Sequence, residues 1–392
     1  MKDVFIVAAL RTPFCSFGGQ LAEVPAPTLA AQVIKEILHR TGMNGSELDE
    51  VIIGQVLQGG VGQAPARQAM RQAGLPDSVH AMTVNKVCGS GLKAMMLAAD
   101  SIRLGESQLS LAGGMENMSL APYALPGARF GQRLGNGELV DLLIFDALQD
   151  PESKRHMGEI TEEWIAGHGL SREEQDVYAA RSYERSQAAV KNGTFADELV
   201  SVVKSSRKGD VIISEDEEPF RGEVDKLTGL RPAFSKTGTI TAGNASTIND
   251  GAGLALLASG EAVAAHGLKP IARLIASSTH SLHPDQFGQA PVDAIRKCCA
   301  KAGLELNDIG LFEINEAFSA VPLMAIKLLG LDPERVNVNG GAVSLGHPVG
   351  ASGARLVATL LRELGVRKEK YGLATLCIGG GEAVSVIFER MR

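Results

Sequence analysis

The sequence predicts an α/β fold built on a duplicated core, and three observations point to it. Apolar runs of strand length at residues 4–9, 50–54, 109–113 and 254–258 alternate with helical patterns such as 28–40 and 92–104. That alternation implies a largely parallel sheet. The pattern then recurs. Residues 29–42 read as a helix ending in glycine and run into a strand at 46–54; residues 292–303 and 307–315 repeat the same order. A strand at 3–9 opens the first half as one at 271–277 opens the second, and these pairs share an offset of roughly 260–270 residues, far beyond solenoid periods. Third, residues 251–259 match 381–389 at an offset of only about 130, so the first half carries about 130 extra residues before its closing strand.

The extra residues fall in the middle of the chain. Residues 116–137 are rich in Gly, Pro and Asn, 159–192 are charged and helical, and 207–231 are polar with the acidic run Glu215-Asp-Glu-Glu218. Residues of about 120–245 therefore read as an insertion on the first half. The expected division is a first core half at 1–118 plus 247–268, an inserted loop domain at 119–246, and a second core half at 269–392.

Composition narrows the function classes. A chain of 392 residues with 45% hydrophobic side chains can bury a sizeable core. A formal charge of −7 argues against a nucleic-acid surface, and no apolar stretch is long enough to span a bilayer. The first residues read as a buried strand without the layout of a secretory signal, and the last carry no peroxisomal tripeptide. Five cysteines without framework spacing suit a reducing compartment, so a cytoplasmic location is expected.

Three separated segments each place a reactive side chain among glycines. In Val84-Asn-Lys-Val-Cys88-Gly-Ser-Gly91, Cys88 sits at a tight strand-to-helix turn, where the positive end of the helix dipole favours thiolate. In residues 337–353, His347 precedes a proline that prevents a regular helix through it, and a thiol nucleophile needs such a base nearby. In Cys377-Ile-Gly-Gly-Gly381, a second sulfur ends an apolar strand, and amides of the Gly379 loop can form a nest for an oxyanion. Asn315, in Glu313-Ile-Asn-Glu-Ala-Phe318, offers an amide that holds a water or a carbonyl without titrating. Two sulfurs and an imidazole are the groups needed to hold an acyl chain and then deprotonate a carbon acid. Cys15 and the adjacent Cys298-Cys299 read as structural, because their spacing does not suit zinc, and the Gly340–Gly353 run lacks the strand–helix context of a dinucleotide fingerprint.

Taken together, these segments resemble the thiolases, of the acetyl-CoA acetyltransferase kind. The resemblance extends over Arg11-Thr-Pro-Phe, Gly62-Gln-Ala-Pro-Ala-Arg67, Gly113-Gly-Met-Glu-Asn-Met118, His156-Met-Gly158, Leu230-Arg-Pro-Ala-Phe234 and Thr241-Ala-Gly-Asn-Ala-Ser246. It implies a five-layer αβαβα core with an inserted loop domain, homotetramers formed as dimers of dimers, and coenzyme A thioesters as substrates with no tightly bound cofactor or metal. It further implies that Cys88 is acylated, that His347 activates it, and that Cys377 exchanges a proton with the α-carbon of the second thioester. His347 with a water held by Asn315 would form one oxyanion site, and the amides of Cys88 and Gly379 the other. Coenzyme A would lie along the insertion, with His156, Met157, Ser246, Ala242 and Phe318 near the pantetheine arm and Arg221 and Phe234 near the nucleotide. Lys204, Arg207 and Lys208 read rather as a solvated charge run. Phe287 departs from the Met-Gly that short-chain biosynthetic members commonly carry there, which bears on acyl length.

Two other classes compete. A β-ketoacyl synthase-like condensing enzyme would use histidine or asparagine in place of the second cysteine, so Cys377 and the long insertion favour the thiolase reading. A non-catalytic lipid- or CoA-binding protein has no need of a paired nucleophile and base.

Overall fold

The computed structural model describes residues 2–206 and 209–391, so Arg207 and Lys208 lie outside the described residues. The first half contributes strands β1 (Val4–Arg11), β2 (Glu50–Gly54), β3 (His80–Val84), β4 (Leu109–Asn117) and β5 (Asn249–Ser259). The second contributes β6 (Ala272–Ser281), β7 (Ile309–Ile314), β8 (Tyr371–Ile378) and β9 (Glu382–Arg390). They lie in the order β7-β8-β9-β6-β1-β5-β4-β2-β3. Within the sheet, β1 and β6 join the halves through the pairs Phe5–Arg273 and Ile6–Ala272.

The duplication is visible in this order. Numbering strands within each half by sequence, the first half runs 3-2-4-5-1. The second runs 2-4-5-1, with Val336 making a lone parallel bridge to Phe312 where its third strand would lie. The helices repeat too: α1 (Ala26–Thr41) ends at Gly42 with φ 69° and α6 (Ala290–Ala302) at Gly303 with φ 67°, the left-handed backbone that glycine adopts without penalty.

The sheet is mixed rather than largely parallel. Only β2–β3, β2–β4 and β7–β8 pair in parallel; β4–β5, β1–β5, β1–β6, β6–β9 and β8–β9 are antiparallel. In the second half, three glycines join β8 to β9 as a hairpin, which forces the antiparallel pairing. In the first half, β5 keeps that direction although the insertion separates it from β4.

Side-chain alternation builds the layers. Val51 and Ile53 of β2 join α1 and α2 (Pro65–Gln72) in one core, while Ile52 faces α3 (Ser90–Leu104) in the next. That second core also holds Leu356, Val357 and Leu360 of α8 (Ser352–Arg367) and Leu376 and Val384 of the second half, so α3 and α8 form a shared middle layer. α6 and α7 (Ala320–Leu329) cover the remaining face. The result is five layers, αβαβα. Sheets covered on both faces account for the nearly continuous apolar runs of β4 and β5.

The charged stretch in the middle forms two helices, α4 (Met157–His168) and α5 (Arg172–Lys191), separated at Gly169 and restarted by a Ser171–Glu174 capping box. Two buried networks fasten the middle segment to the core. Arg11 of β1 bonds Glu198 at 2.6 Å and Asp216 at 2.6 and 2.8 Å. The Glu316 carboxylate accepts hydrogen bonds from Tyr178 and Ser182 of α5, from Asn337 and from the Val343 amide. Such groups are tolerated in the interior because each is paired.

Candidate active site

Cys88, His347, Cys377 and Gly379 line one pocket of about 290 Å³. Met118, Ala147, Leu148, Val349 and Phe287 make its apolar wall, and His156, Met157, Phe234, Ser246 and Phe318 line it on the side of the middle segment.

Cys88 stands on a tight turn between β3 and α3. β3 stops at Val84, and Val87 adopts φ +46°. A β-branched residue in that region is strained by about 1–3 kcal/mol and persists only where its surroundings fix it. Here Asn85 Oδ1 accepts from Val87 N at 2.9 Å, and the Ser90 hydroxyl donates to Val87 O at 2.6 Å and accepts from Lys86 N at 2.8 Å. Lys86 is itself paired with Glu382, beyond the glycine loop. The turn presents the Cys88 sulfur to the Gly379 backbone amide.

The thiol is not tuned downwards as the helix-start position suggested. Burial pushes Cys88 up to about 11, against the opposing hydrogen bonds of the Gly379 and Cys88 amides, and the Glu116 carboxylate adds to the rise. Burial also raises Cys377, and the nearby Cys88 raises it further. Two sulfurs this close resist carrying negative charge together.

His347 is buried and follows the short helix Ala342–Leu345. Asn249 Oδ1 accepts from its backbone N–H at 2.9 Å. Its Nδ1 lies 2.5 Å from Ser352 Oγ, whose own proton goes to Pro348 O at 2.9 Å. With the hydroxyl proton on Pro348 O, Nδ1 donates to Ser352 Oγ and Nε2 carries the lone pair, the tautomer that also suits Asn315 Nδ2 facing Nε2. Burial, with a smaller effect of Arg355, lowers the imidazole to about 3, so it rests neutral and able to accept a proton. Asn315 follows β7 and directs Nδ2 towards His347 Nε2 at 3.4 Å, while its Oδ1 is buried without a protein partner among the described residues.

The other predicted residues divide. His156 caps α4, Nδ1 accepting from Gly158 N at 3.0 Å, and stacks on Phe234 at 4.9 Å; Phe318 meets Phe234 edge-on at 6.2 Å. Ser246 N and Oγ both donate to Ala317 O at 3.0 Å, bringing the returning chain beside Phe318. Arg221 and Ala242 line a second groove with Leu227 and Leu230, and Thr247 borders both pockets. Arg221 is exposed and paired with Glu217 at 3.4 Å, and Lys204 is paired with Glu23 at 2.7 Å. Cys15, Cys298 and Cys299 are buried away from the pocket. Sequence reasoning missed Ser352, Asn249 and Glu116. Ser352 lies five residues from His347, a legible spacing, whereas the other two meet the His347 segment only through the fold.

No group of three or more His, Cys, Asp or Glu side chains among the described residues is arranged to hold a metal, and no helix among them is long and apolar enough to cross a membrane.

Comparison with known proteins agrees with this geometry. The profile of the thiolase N-terminal domain matches residues 4–261 and that of the thiolase C-terminal domain residues 268–390. An acetyl-CoA acetyltransferase of Pseudomonas aeruginosa is 50% identical over 392 residues, covering 100% of both chains. One from Cupriavidus necator is 47% identical, again over 100% of both, and a probable acetyl-CoA acyltransferase of Staphylococcus aureus is 47% identical over 394 residues and 100% of both. The crystal structure of the Bacillus anthracis acetyl-CoA acetyltransferase superposes with a TM-score of 0.97 at 43% identity, covering 100% of this chain and 99% of that one. Matched along both halves, and sharing its architecture and half its residues with such relatives, this chain belongs to the thiolase family.

Proposed function

We propose that the protein is an acetyl-CoA C-acetyltransferase, which condenses two acetyl-CoA molecules reversibly to acetoacetyl-CoA and free CoA, and in reverse cleaves 3-ketoacyl-CoA. The observation that carries this reading is that two cysteine sulfurs, a neutral imidazole and the Gly379 amide share one small apolar pocket.

In the first half-reaction, Cys88 Sγ attacks the acetyl thioester carbonyl while His347 Nε2 takes the thiol proton. The proton then passes to the departing CoA sulfur, leaving acetyl-Cys88. A thiol with a raised pKa is ionised only as it reacts, so the base must be in place, as the Ser352-held imidazole is. In the second, Cys377 passes its proton to His347 Nε2 and, as the thiolate, removes an α-proton from a new acetyl-CoA; the carbanion attacks acetyl-Cys88 and expels its sulfur, which takes the proton back from His347. Acylation removes any charge from Cys88, and with it the repulsion that opposes a Cys377 thiolate. The Cys88 and Gly379 amides receive one oxyanion. The Nε2–H of His347, protonated in that step, and a water held on Asn315 Oδ1 receive the other.

Coenzyme A lies along the inserted segment, residues 119–246, between core halves of 1–118 plus 247–268 and 269–392. Its pantetheine passes His156, Met157, Ser246, Ala242 and Phe318, and its nucleotide end approaches Phe234 and Arg221. The protein works as a homotetramer in the cytoplasm, in fatty acid metabolism. Two surface features support the assembly: β3 is an edge strand of the sheet, and residues 120–145 expose Leu120, Tyr123, Phe130, Leu134, Leu139 and Phe145. A monomer mass by light scattering at micromolar protein would refute it.

Initial rates of acetoacetyl-CoA thiolysis at several fixed CoA concentrations test the reaction. Parallel double-reciprocal lines are expected of an acyl-enzyme intermediate; intersecting lines, or no turnover, would contradict it.

A further inference from the structure

One buried carboxylate near the pocket has no place in the chemistry above. Glu116, near the end of β4, accepts three hydrogen bonds, all from backbone: Val56 N at 3.0 Å, Leu57 N at 3.1 Å and Gly350 N at 2.9 Å. The three amides belong to two segments that border the acyl pocket. Val56 and Leu57 pack with Met118, Leu143, Ala147 and Val349 in a small core on which Cys88 rests. Gly350 is three residues beyond His347. The approach leaves no room for side chains: a Cβ on Gly114 would collide with the Gly350 carbonyl, and one on Gly350 with the Glu116 carboxylate.

A carboxylate suits this junction where an amide would not. Three N–H donors converge on two oxygens, and an amide would turn an NH₂ group against at least one of them. The choice also places charge. Burial pushes Glu116 up to about 7 against the three amides, and its charge in turn raises the Cys88 thiol. The other titratable groups around the pair are His347, Cys377 and Asp250, and Asp250 is an acid that raises Glu116 further.

We propose that Glu116 is a positioning residue of the reaction: it ties the His347 loop and the pocket wall to the strand behind Cys88 and sets a carboxylate close to the resting sulfur. The proposal rests on the roles given above to Cys88 and His347. A negative charge behind the sulfur disfavours free thiolate relative to the neutral acyl-cysteine.

The test measures two quantities on the full-length protein: the pH dependence of Cys88 alkylation by iodoacetamide, followed by peptide mapping, and kcat and KM for acetoacetyl-CoA thiolysis. Glu116→Gln should move the alkylation midpoint to lower pH. Its kcat should fall on the order of tenfold to hundredfold through misplacement of His347, with KM changed by less than about twofold. Glu116→Asp keeps the charge but is too short to reach all three amides, so the midpoint should stay while kcat falls. A folded Glu116→Gln with wild-type kcat, or with an unmoved or raised midpoint, overturns the proposal. If that variant does not fold, Glu116→Asp decides: wild-type kcat overturns it. Wild-type protein that alkylates elsewhere and never at Cys88 would remove the nucleophile assignment and this inference with it. Labelling at Cys88 with unaltered Glu116 variants removes this inference alone.

Discussion

The Nδ1 of His347 lies 2.5 Å from the Ser352 hydroxyl, whose proton is committed to the Pro348 carbonyl. That contact, with the Asn315 amide on the other ring nitrogen, assigns the tautomer of a buried imidazole. The lone pair is left on Nε2, which also meets Asn315 Nδ2.

Ser352→Ala should free the imidazole to adopt the other tautomer. Acylation by acetyl-CoA, followed in a single turnover, is expected to slow on the order of tenfold or more, with KM little changed. An acylation rate equal to wild type would show that Ser352 does not orient the base.

Cys377→Ala should separate the half-reactions. Transfer of one acetyl group to Cys88 is expected to survive, because that step uses His347. Exchange of α-protons with solvent and condensation should fall by about 10²–10⁴-fold. Near wild-type condensation by the variant would exclude Cys377 as the α-carbon base.

His347 makes a signed prediction about stability. Its folded pKa of about 3 lies below the unfolded value of about 6.5. Between those values the unfolded chain binds more protons, so this group costs stability increasingly as pH falls below about 6.5, levelling off near 3. His347→Asn removes that cost. Its stability relative to wild type should improve by about 2 kcal/mol on going from pH 7 to pH 5, read from urea unfolding at both. A relative stability independent of pH would mean that His347 is not buried in its neutral form.

How far the sequence revealed all this depends on the distance over which each feature is decided. Cys88, His347 and Cys377 each stand in a short glycine-rich segment, so their turns were legible locally. The duplicated helix–glycine–strand units were legible for the same reason. The strand directions were not, since β5 meets β4 only after the long middle segment has folded. The protonation of Cys88 was read in the wrong direction. A helix start is visible in sequence, but the burial that outweighs it comes from packing by Val56, Leu57, Met118 and Val349. Asn249 and Glu116 were invisible as site residues because they meet the His347 segment 98 and 234 positions away.

Phe287 is packed tightly against the second half of the chain. It is 2% exposed and meets Phe318 edge-on at 6.4 Å, while the space at Gly288 is taken by the Trp164 ring. A ring so held fills the pocket rigidly, and a methylene more or less there is worth about 1–3 kcal/mol. Phe287→Met should raise thiolysis of longer 3-ketoacyl-CoA relative to acetoacetyl-CoA by roughly tenfold. An unchanged ratio across chain lengths would place Phe287 outside the acyl site.

The central claim is that Cys88 carries the acyl group, and the most direct measurement is to find it there. The protein is incubated with acetyl-CoA, quenched in acid, weighed intact and digested for peptide mapping. One added acetyl group on the Cys88 peptide is the predicted result. Acetylation confined to Cys298, Cys299 or Cys377, or none at all in protein that turns over, would contradict the account.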